Sequence, residues 1–232
     1  MDGPGRGFAI YRWLIFSIMA IAYVGAFFHR GAPAVVALDI QESFGISAGL
    51  MGLLASAYFY SYAVVQFPAG LLSDSLGPRK TVSLFLIVGG VGSILFGLAP
   101  FLELSILGRV LVGLGAGMVF TPNMKILSEW FRVREFSRMN GLFLASGGLG
   151  ALTAAAPLAL VAGWVGWQIS FAAIGCATLI LAALVWLLVR DRPQDLGYPS
   201  LSQTDSSSAR ALPPTRAIPL RQGVRLVLTN PY

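Results

Sequence analysis

Charge is scarce in this sequence: Asp, Glu, Lys and Arg make up 11% of 232 residues, against about 25% in an ordinary soluble domain. A chain so poor in charge and 56% hydrophobic cannot cover a globular surface with polar groups, so lipid is its expected solvent. Cysteine is nearly absent. Cys176 stands alone inside an apolar run, which excludes an internal disulfide and metal sites of the paired-cysteine type and reads as a small buried apolar residue. His29 is the one histidine. No Gly-x-x-x-x-Gly-Lys-Ser/Thr segment occurs, so nothing here hydrolyses ATP. No cofactor and no metal is expected. The net charge of +6 is not read as nucleic-acid binding, because in a membrane chain the placement of charges matters more than their sum.

What is present is a series of long charge-free runs. Trp13 to Phe28 lies between Arg12 and His29-Arg30, Phe44 to Ser73 has no charge, Thr81 to Leu102 is clean, and Leu104 to Met124 carries only Arg109. Met139 to Val189 is 51 residues without a charge. A crossing takes about 20 residues, so the last run is two crossings, divided at Gly163-Trp164-Val165-Gly166-Trp167-Gln168 by turn glycines and interfacial tryptophans. The runs are continuously apolar and do not alternate, which favours helices over a barrel. Six helices are predicted, near 12–29, 47–72, 80–100, 104–128, 139–162 and 168–189. The apolar core of the first is longer than the ~7–15 residues of a signal peptide, and it is read as a retained helix.

Orientation follows from lysine and arginine. With the N-terminus inside, the inner segments hold fourteen of the sixteen basic residues, the outer loops hold Arg30, and Arg109 is embedded. Both termini are therefore expected in the cytoplasm, with the bundle in a bacterial inner membrane. The six-helix bundle is assigned to residues 1–190. Residues 191–217, rich in Ser, Pro, Gln and Arg, read as a cytoplasmic linker. Residues 218–232 regain apolar spacing with Arg221 and Arg225 interleaved, as an amphipathic lead-in on the inner membrane surface.

Other six-helix membrane machines are excluded by what their chemistry needs. Leu144-Ala145-Ser146-Gly147 faintly resembles an intramembrane protease serine motif, but His29 at the end of the first span gives no workable partner order. Paired Asn-Pro-Ala boxes and Pro-x-Asp/Glu-x-x-Lys/Arg repeats are absent. Gly113-Leu114-Gly115-Ala116-Gly117 sits mid-span with no preceding strand, so it reads as packing rather than a dinucleotide loop.

The most informative segment joins the second and third spans: Gly70-Leu71-Leu72-Ser73-Asp74-Ser75-Leu76-Gly77-Pro78-Arg79-Lys80. A loop this short forces its helices antiparallel, and Gly77 permits a positive φ. Asp74 at this depth needs a partner: Arg79, Lys80 or a helix N-terminus. The segment resembles the signature loop of the major facilitator superfamily, Gly-x-x-x-Asp-Arg-x-Gly-Arg-Arg/Lys, through Gly70, Asp74, Gly77, Arg79 and Lys80. Ser75 and Pro78 stand where the pattern has basic residues. Arg109-x-x-x-Gly113-x-Gly115-Ala116-Gly117, Glu129-Trp130-Phe131 with Arg134-Glu135, Gly166-Trp167-Gln168 with Phe171, and Arg190 to Gly197 are similar to further stretches of the family. The fifth-helix Gly-Pro motif of its antiporters is not matched, so drug/proton antiport is not expected. The resemblance implies an all-α membrane fold: six helices as a 3+3 inverted repeat, forming the N-terminal half of a twelve-helix carrier. It also implies that Asp74 and Arg79 latch the outward-facing state shut on the inside.

Gly89, Ser93 and Gly97 in span three, and Gly147, Ala151 and Ala155 in span five, repeat every four residues as helix-packing stripes. Arg30, Arg109 and Lys125 lie near or inside the membrane, where charge is costly and marks function. Arg109, Val112, Gly113, Ala116, Phe120 and Asn123 share a face of span four that should look into the bundle. Arg109 reads either as a substrate contact or as a structural hydrogen-bonding hub, Arg30 as a pathway residue or a headgroup neighbour, and Lys125 as snorkelling to the inner surface. Tyr58, Tyr62 and Gln66 form a polar stripe on span two, for substrate contact or for packing. The embedded charges are cationic, and the Tyr58 to Pro68 stretch is similar to the anion:cation symporter and nitrate/organophosphate branches, so an organic anion is the expected substrate. The expected partners are that small molecule, the lipid bilayer, and a missing C-terminal half or second copy of the chain. A secondary transporter is the first reading. A transporter-like solute sensor and an inactive truncated remnant remain alternatives, and the substrate, coupling ion and direction are open.

Overall fold

The computed structural model describes residues 6–198. The lead-in at 218–232 and most of the linker, from residue 199 on, lie outside them. Among the described residues there are nine α-helices, eight of which make six membrane-competent spans. Span one is α1 (Arg6–Val35), followed by the short α2 (Ala37–Phe44). Spans two and three are α3 (Ala48–Leu76) and α4 (Pro78–Leu98). Span four is α5 (Leu102–Gly117) with α6 (Phe120–Trp130), span five is α7 (Val133–Ala154) with α8 (Ala156–Val165), and span six is α9 (Trp167–Leu188). A 3₁₀ turn, Pro193–Leu196, follows.

The count of six agrees with the charge-free runs, but several helices extend past them. Span one continues through His29 and Arg30, and span five begins at Val133 rather than 139. A charge-free window measures what lipid surrounds, not where the helix ends. Span five starts early because its first turn is well terminated. Glu135 accepts from the Arg132 N–H at 3.2 Å and takes a two-pronged bond from the Arg12 guanidinium at 3.0 and 3.2 Å, so its charge sits among fixed donors.

Two spans are broken, each for a local reason. In span four, Met118 and Val119 bond back to Gly115 and Ala116 in i→i−3 fashion, at 3.3 Å each. Gln66 of span two donates to the Gly117 carbonyl at 3.2 Å. In span five, Ala155 takes φ −84°, ψ −108°, two residues before Pro157. Proline supplies no N–H and its ring crowds the carbonyl four residues back.

Span one packs along span five, span two along span four, and span three against both span four and span six. Adding three to each number exchanges the 1–5 and 4–2 contacts and returns the 3–6 contact to itself. Spans 1–3 run in the opposite sense to spans 4–6, so the contact pattern is that of a 3+3 inverted repeat. Small residues make the central contacts possible. A Cβ on Gly92 would stand 2.8 Å from the Gly108 carbonyl oxygen, and one on Gly115 2.6 Å from the Gly89 Cα. Ser83 and Ser93 donate to the Ala182 and Phe171 carbonyls of span six, both at 2.8 Å. The expected stripe Gly89, Ser93, Gly97 is buried as a unit.

The stripe in span five is corrected. Ala151 and Ala155 are exposed, and the residues that meet span one are Gly147 (against Tyr23 and Phe27), Gly150 (against the Val24 carbonyl) and Ala154 (near Gly31). Strict four-residue steps drift about 40° per step around a helix of 3.6 residues per turn. Steps of three and four keep the contact face. Cys176 is likewise exposed on α9 rather than buried.

Aromatic clusters close the two ends. At the end where α1 starts and α9 finishes, Trp130 is fully buried against Phe8 and Tyr11, and its indole N–H donates to the Arg190 carbonyl at 2.9 Å. The Tyr11 hydroxyl donates to the Leu188 carbonyl. At the far end, Trp167 packs on Phe44, Phe96 and Phe171 and donates to Ser43 Oγ at 3.0 Å, which ties α2 down.

Residues 191–198 lie against the first of these ends. Asp191 reaches the start of α4, where its Oδ1 accepts the Arg79 N–H at 2.7 Å. A carboxylate there satisfies an otherwise orphan donor and complements the helix dipole. Asp191→Ala is expected to cost about 1 kcal/mol, read as a lower unfolding temperature in detergent. No change would show that this contact carries no stability.

Candidate functional site

Arg109 is the centre of the bundle's polar interior. It is 1% exposed. Its guanidinium lies between the Tyr58 ring of span two, 4.8 Å away, and the Phe96 ring of span three, 5.5 Å away. It also donates to the His29 carbonyl of span one at 3.1 Å. One side chain on span four thus touches three other spans, and the planar, delocalised cation suits two aromatic faces. Tyr58 is itself buried, and its hydroxyl donates to the Ala26 carbonyl at 3.3 Å.

Arg30 is in a different position. It is exposed, with its guanidinium 5.9 Å from the Phe27 ring and 5.6 Å from the Phe59 ring. The ion pairs among the described residues are Arg12–Glu135 and Lys125–Asp74, so Arg30 has no carboxylate partner there. Tyr62, half-buried, stacks on Tyr58 with ring centroids 6.0 Å apart. One turn on, Gln66 is used by the break in span four. The stripe Tyr58, Tyr62, Gln66 therefore divides: its ends are bonded to neighbouring spans, and Tyr62 is the member whose hydroxyl has no protein partner in the hydrogen bonds of the described residues.

Asn123 is fully buried, and both its amide oxygen and nitrogen lack partners. Asn140 of span five has an unpartnered oxygen as well. Tyr23 stacks on Phe143 at 4.4 Å and meets Phe27 and Phe120. Of the face expected to look inward, Arg109, Val112, Gly113, Ala116 and Asn123 are buried and Phe120 is half-buried.

The signature loop is a one-residue turn at Gly77, with φ +86°. Gly70, Asp74 and Lys80 are exposed around it. Asp74 does not pair with Arg79 or Lys80. Its partner is Lys125 of span four, whose Nζ donates to Asp74 Oδ1 at 2.7 Å and to the Ser73 carbonyl at 3.4 Å. The reason is direction: Arg79 extends over the Trp186 ring of span six, 5.0 Å away, while α6 runs beside the end of α3. Lys125 does reach outward, but to a carboxylate rather than to headgroups alone. The Gly77 position also has a spatial role, since a Cβ there would stand 2.7 Å from Asp191 Oδ2.

Sequence reasoning passed over His29 as a site residue. It is 4% exposed and neither ring nitrogen has a partner. A lone histidine beside an arginine in an apolar span was the signal available. Asp191 had no comparable signal, because its role depends on a turn more than a hundred residues away.

A 3+3 inverted six-helix unit with a basic and aromatic interior defines one half of a helical membrane carrier. The chain belongs to the Major Facilitator Superfamily, whose family model matches residues 18–232. It is 28% identical over 199 residues to the "Probable sulfoacetate transporter SauU" of Cupriavidus necator, covering 81% of this chain and 46% of that one. It is 28% identical over 175 residues to the "Probable L-galactonate transporter" of Escherichia coli, covering 75% and 39%. Its fold is similar to the crystal structure of a bacterial homologue of the human lysosomal transporter Spinster in an inward-facing, unoccupied conformation, with a TM-score of 0.72 and 22% identity over 84% of this chain and 45% of that one. The chain spans about half the length of the curated relatives it matches.

Proposed function

We propose that this chain is the first six-helix half of a secondary carrier that moves a small organic anion by alternating access. The second half is either a further six-helix unit of the same protein or a second copy. Arg30 carries the reading. An exposed guanidinium held over two aromatic rings, with no carboxylate beside it among the described residues, is a fixed cation available to a carboxylate or sulfonate. Tyr62 would supply a hydrogen bond to the uncharged part of the solute; Asn123, fully buried, stands about four turns along span four from Arg109 and is not a contact of the solute held at Arg30. Sulfoacetate and galactonate, in the names of two relatives, are both organic anions, in keeping with this chemistry. Arg109 would act through position, holding spans one to four in register around the pathway.

The latch at the signature loop fits the same reading. Asp74 keeps its side chain 74% exposed even while paired with Lys125, so it can also meet a group from the other half. The same reading takes both termini as cytoplasmic, which the placement of fourteen basic residues supports, and assigns the bundle to a bacterial inner membrane.

The test is uptake by cells expressing the natural reading frame, with a panel of small carboxylates and sulfonates. Arg30→Ala is expected to lower uptake at least a hundredfold, and Arg30→Lys to restore part of it, because charge is kept and the bidentate fork is lost. Uptake unchanged in Arg30→Ala would overturn the reading. Binding without uptake in the unmodified protein would point to solute sensing instead.

A further inference from the structure

Arg79 is the signature-loop residue that the Asp74–Lys125 pair leaves without a role. Its guanidinium lies over the Trp186 ring of span six, 5.0 Å away. In the hydrogen bonds of the described residues Arg79 donates only through its backbone N–H, so the N–H groups of the guanidinium have no protein acceptor there. Arg190 stands just past the end of α9. Its Nη1 donates to the Leu187 and Val189 carbonyls at 3.0 Å each, which leaves Nε and Nη2 without protein partners in the same set. Asp191 is the neighbouring carboxylate. It accepts the Arg79 backbone N–H, lies against Gly77, and makes no ion pair with either guanidinium among the described residues.

Trp186 and Leu187, which hold these two guanidiniums, are also the last residues of a groove. It lies between spans three and six, has a volume of about 470 Å³, and is lined by Ser83, Leu84 and Ile87 on α4 and by Ala183, Trp186 and Leu187 on α9. The walls are apolar and face outward, with Leu84 49% and Leu187 63% exposed. In the series of helix contacts two–four–three–six–one–five, spans three and six are the middle pair, whereas Arg30 and Tyr62 stand on spans one and two. On α9 the groove runs from Leu179 to Leu187, about 12 Å at 1.5 Å per residue. One leaflet contributes about 15 Å of hydrocarbon. The groove therefore has the depth of an acyl chain from one leaflet, and the two guanidiniums stand at its headgroup end.

We propose that Arg79, Arg190 and Trp186 form a binding site for an anionic phospholipid of the phosphatidylglycerol type, with its phosphate at the two guanidiniums and one acyl chain in the groove between α4 and α9. A phosphate oxygen accepts from planar, fixed guanidinium donors. The Trp186 indole N–H, which has no protein partner in the hydrogen bonds of the described residues, is a further donor at headgroup depth. Two cations with no paired carboxylate favour a headgroup of net negative charge over a zwitterionic one, whose ammonium would meet both guanidiniums. The site is separate from the Arg30 pathway and does not depend on which solute is carried.

The test uses the full chain in phosphatidylcholine vesicles that hold a trace of phosphatidylglycerol or of phosphatidylcholine with a diazirine on one acyl chain, and maps the label by peptide mass spectrometry. The phosphatidylglycerol probe is expected to label residues 83–87 and 179–187 about tenfold more than the phosphatidylcholine probe, and to label α3 no more than that probe does. Equal labelling of the groove by the two probes would overturn the proposal. Arg79→Gln combined with Arg190→Gln should erase the preference. Arg134→Gln combined with Arg138→Gln, which removes two exposed cations from the start of α7, should leave it unchanged. If the α7 pair lowered the preference as much as the site pair, the attraction would be that of general surface charge, and the proposal would fall. Ala183→Phe, which fills the groove and keeps every cation, should abolish labelling of both stretches, and undiminished labelling there would place the acyl chain elsewhere. The comparison of probes uses the unmodified chain and does not depend on a variant folding.

Discussion

Arg109→Lys is expected to unfold the bundle at a markedly lower temperature, although the charge is kept. Lysine has no planar surface to lie between Tyr58 and Phe96, and its compact ammonium is more costly to strip of water. The contacts at stake are two desolvated cation–π faces and a charge-assisted bond to the His29 carbonyl. Together they are worth on the order of 2 kcal/mol or more. Arg109→Ala should do at least as much damage, since it also leaves a void where spans one to four meet. Thermal unfolding in detergent checks both. The same experiment decides between the two roles that the sequence left open for this residue. A scaffold arginine loses stability and uptake together. If Arg109→Lys kept wild-type stability and raised only the KM for one class of solute, Arg109 would be a substrate contact.

A comparably large loss is expected from a single carbon at Gly108. Its Cβ would stand 2.7 Å from the Phe96 nitrogen and 2.8 Å from the Gly92 carbonyl oxygen. These are backbone atoms of an adjoining helix and cannot rotate away. Gly108→Ala should cost about 1–3 kcal/mol through forced separation of spans three and four, and Gly108→Leu should prevent a monodisperse bundle from forming. Gly141→Ala is the matched control. A Cβ at Gly141 meets nothing within 4 Å, and the gain in helix propensity is roughly 0.5–1 kcal/mol. Size-exclusion profiles and unfolding temperatures of the pair should therefore move in opposite directions. Equal behaviour would mean that the glycine contacts between spans three and four do not set their spacing.

The two arginines show how far a sequence can be read at such a site. Both stand in apolar spans, and both are candidates for the same reason: charge in lipid needs an explanation. Their separation into a buried brace and an exposed cation depends on which aromatic rings face them. Tyr58, Phe59 and Phe96 come from spans two and three, and of the four rings only Phe27, one turn before Arg30, is local to either arginine. Asp74 teaches the same lesson from the other side. The nearest opposite charges in sequence are Arg79 and Lys80, yet its partner is Lys125, because a one-residue turn sends Arg79 toward span six. Proximity along the chain is a poor guide where two helices are joined by a sharp reversal.

By itself the sequence determined the number of crossings, the all-helical character and the family. Each of these depends on a property that is one-dimensional: a run of about 20 uncharged residues must be a helix in lipid, and a signature loop is contiguous. The tertiary structure decided the partners. It set the register of the small-residue stripe in span five, the aromatic pair around Arg109, the Lys125–Asp74 bond, and the reach of Asp191 to the start of α4. These are contacts between segments far apart in the chain. They are fixed by how close two backbones can come, which depends on both helices at once.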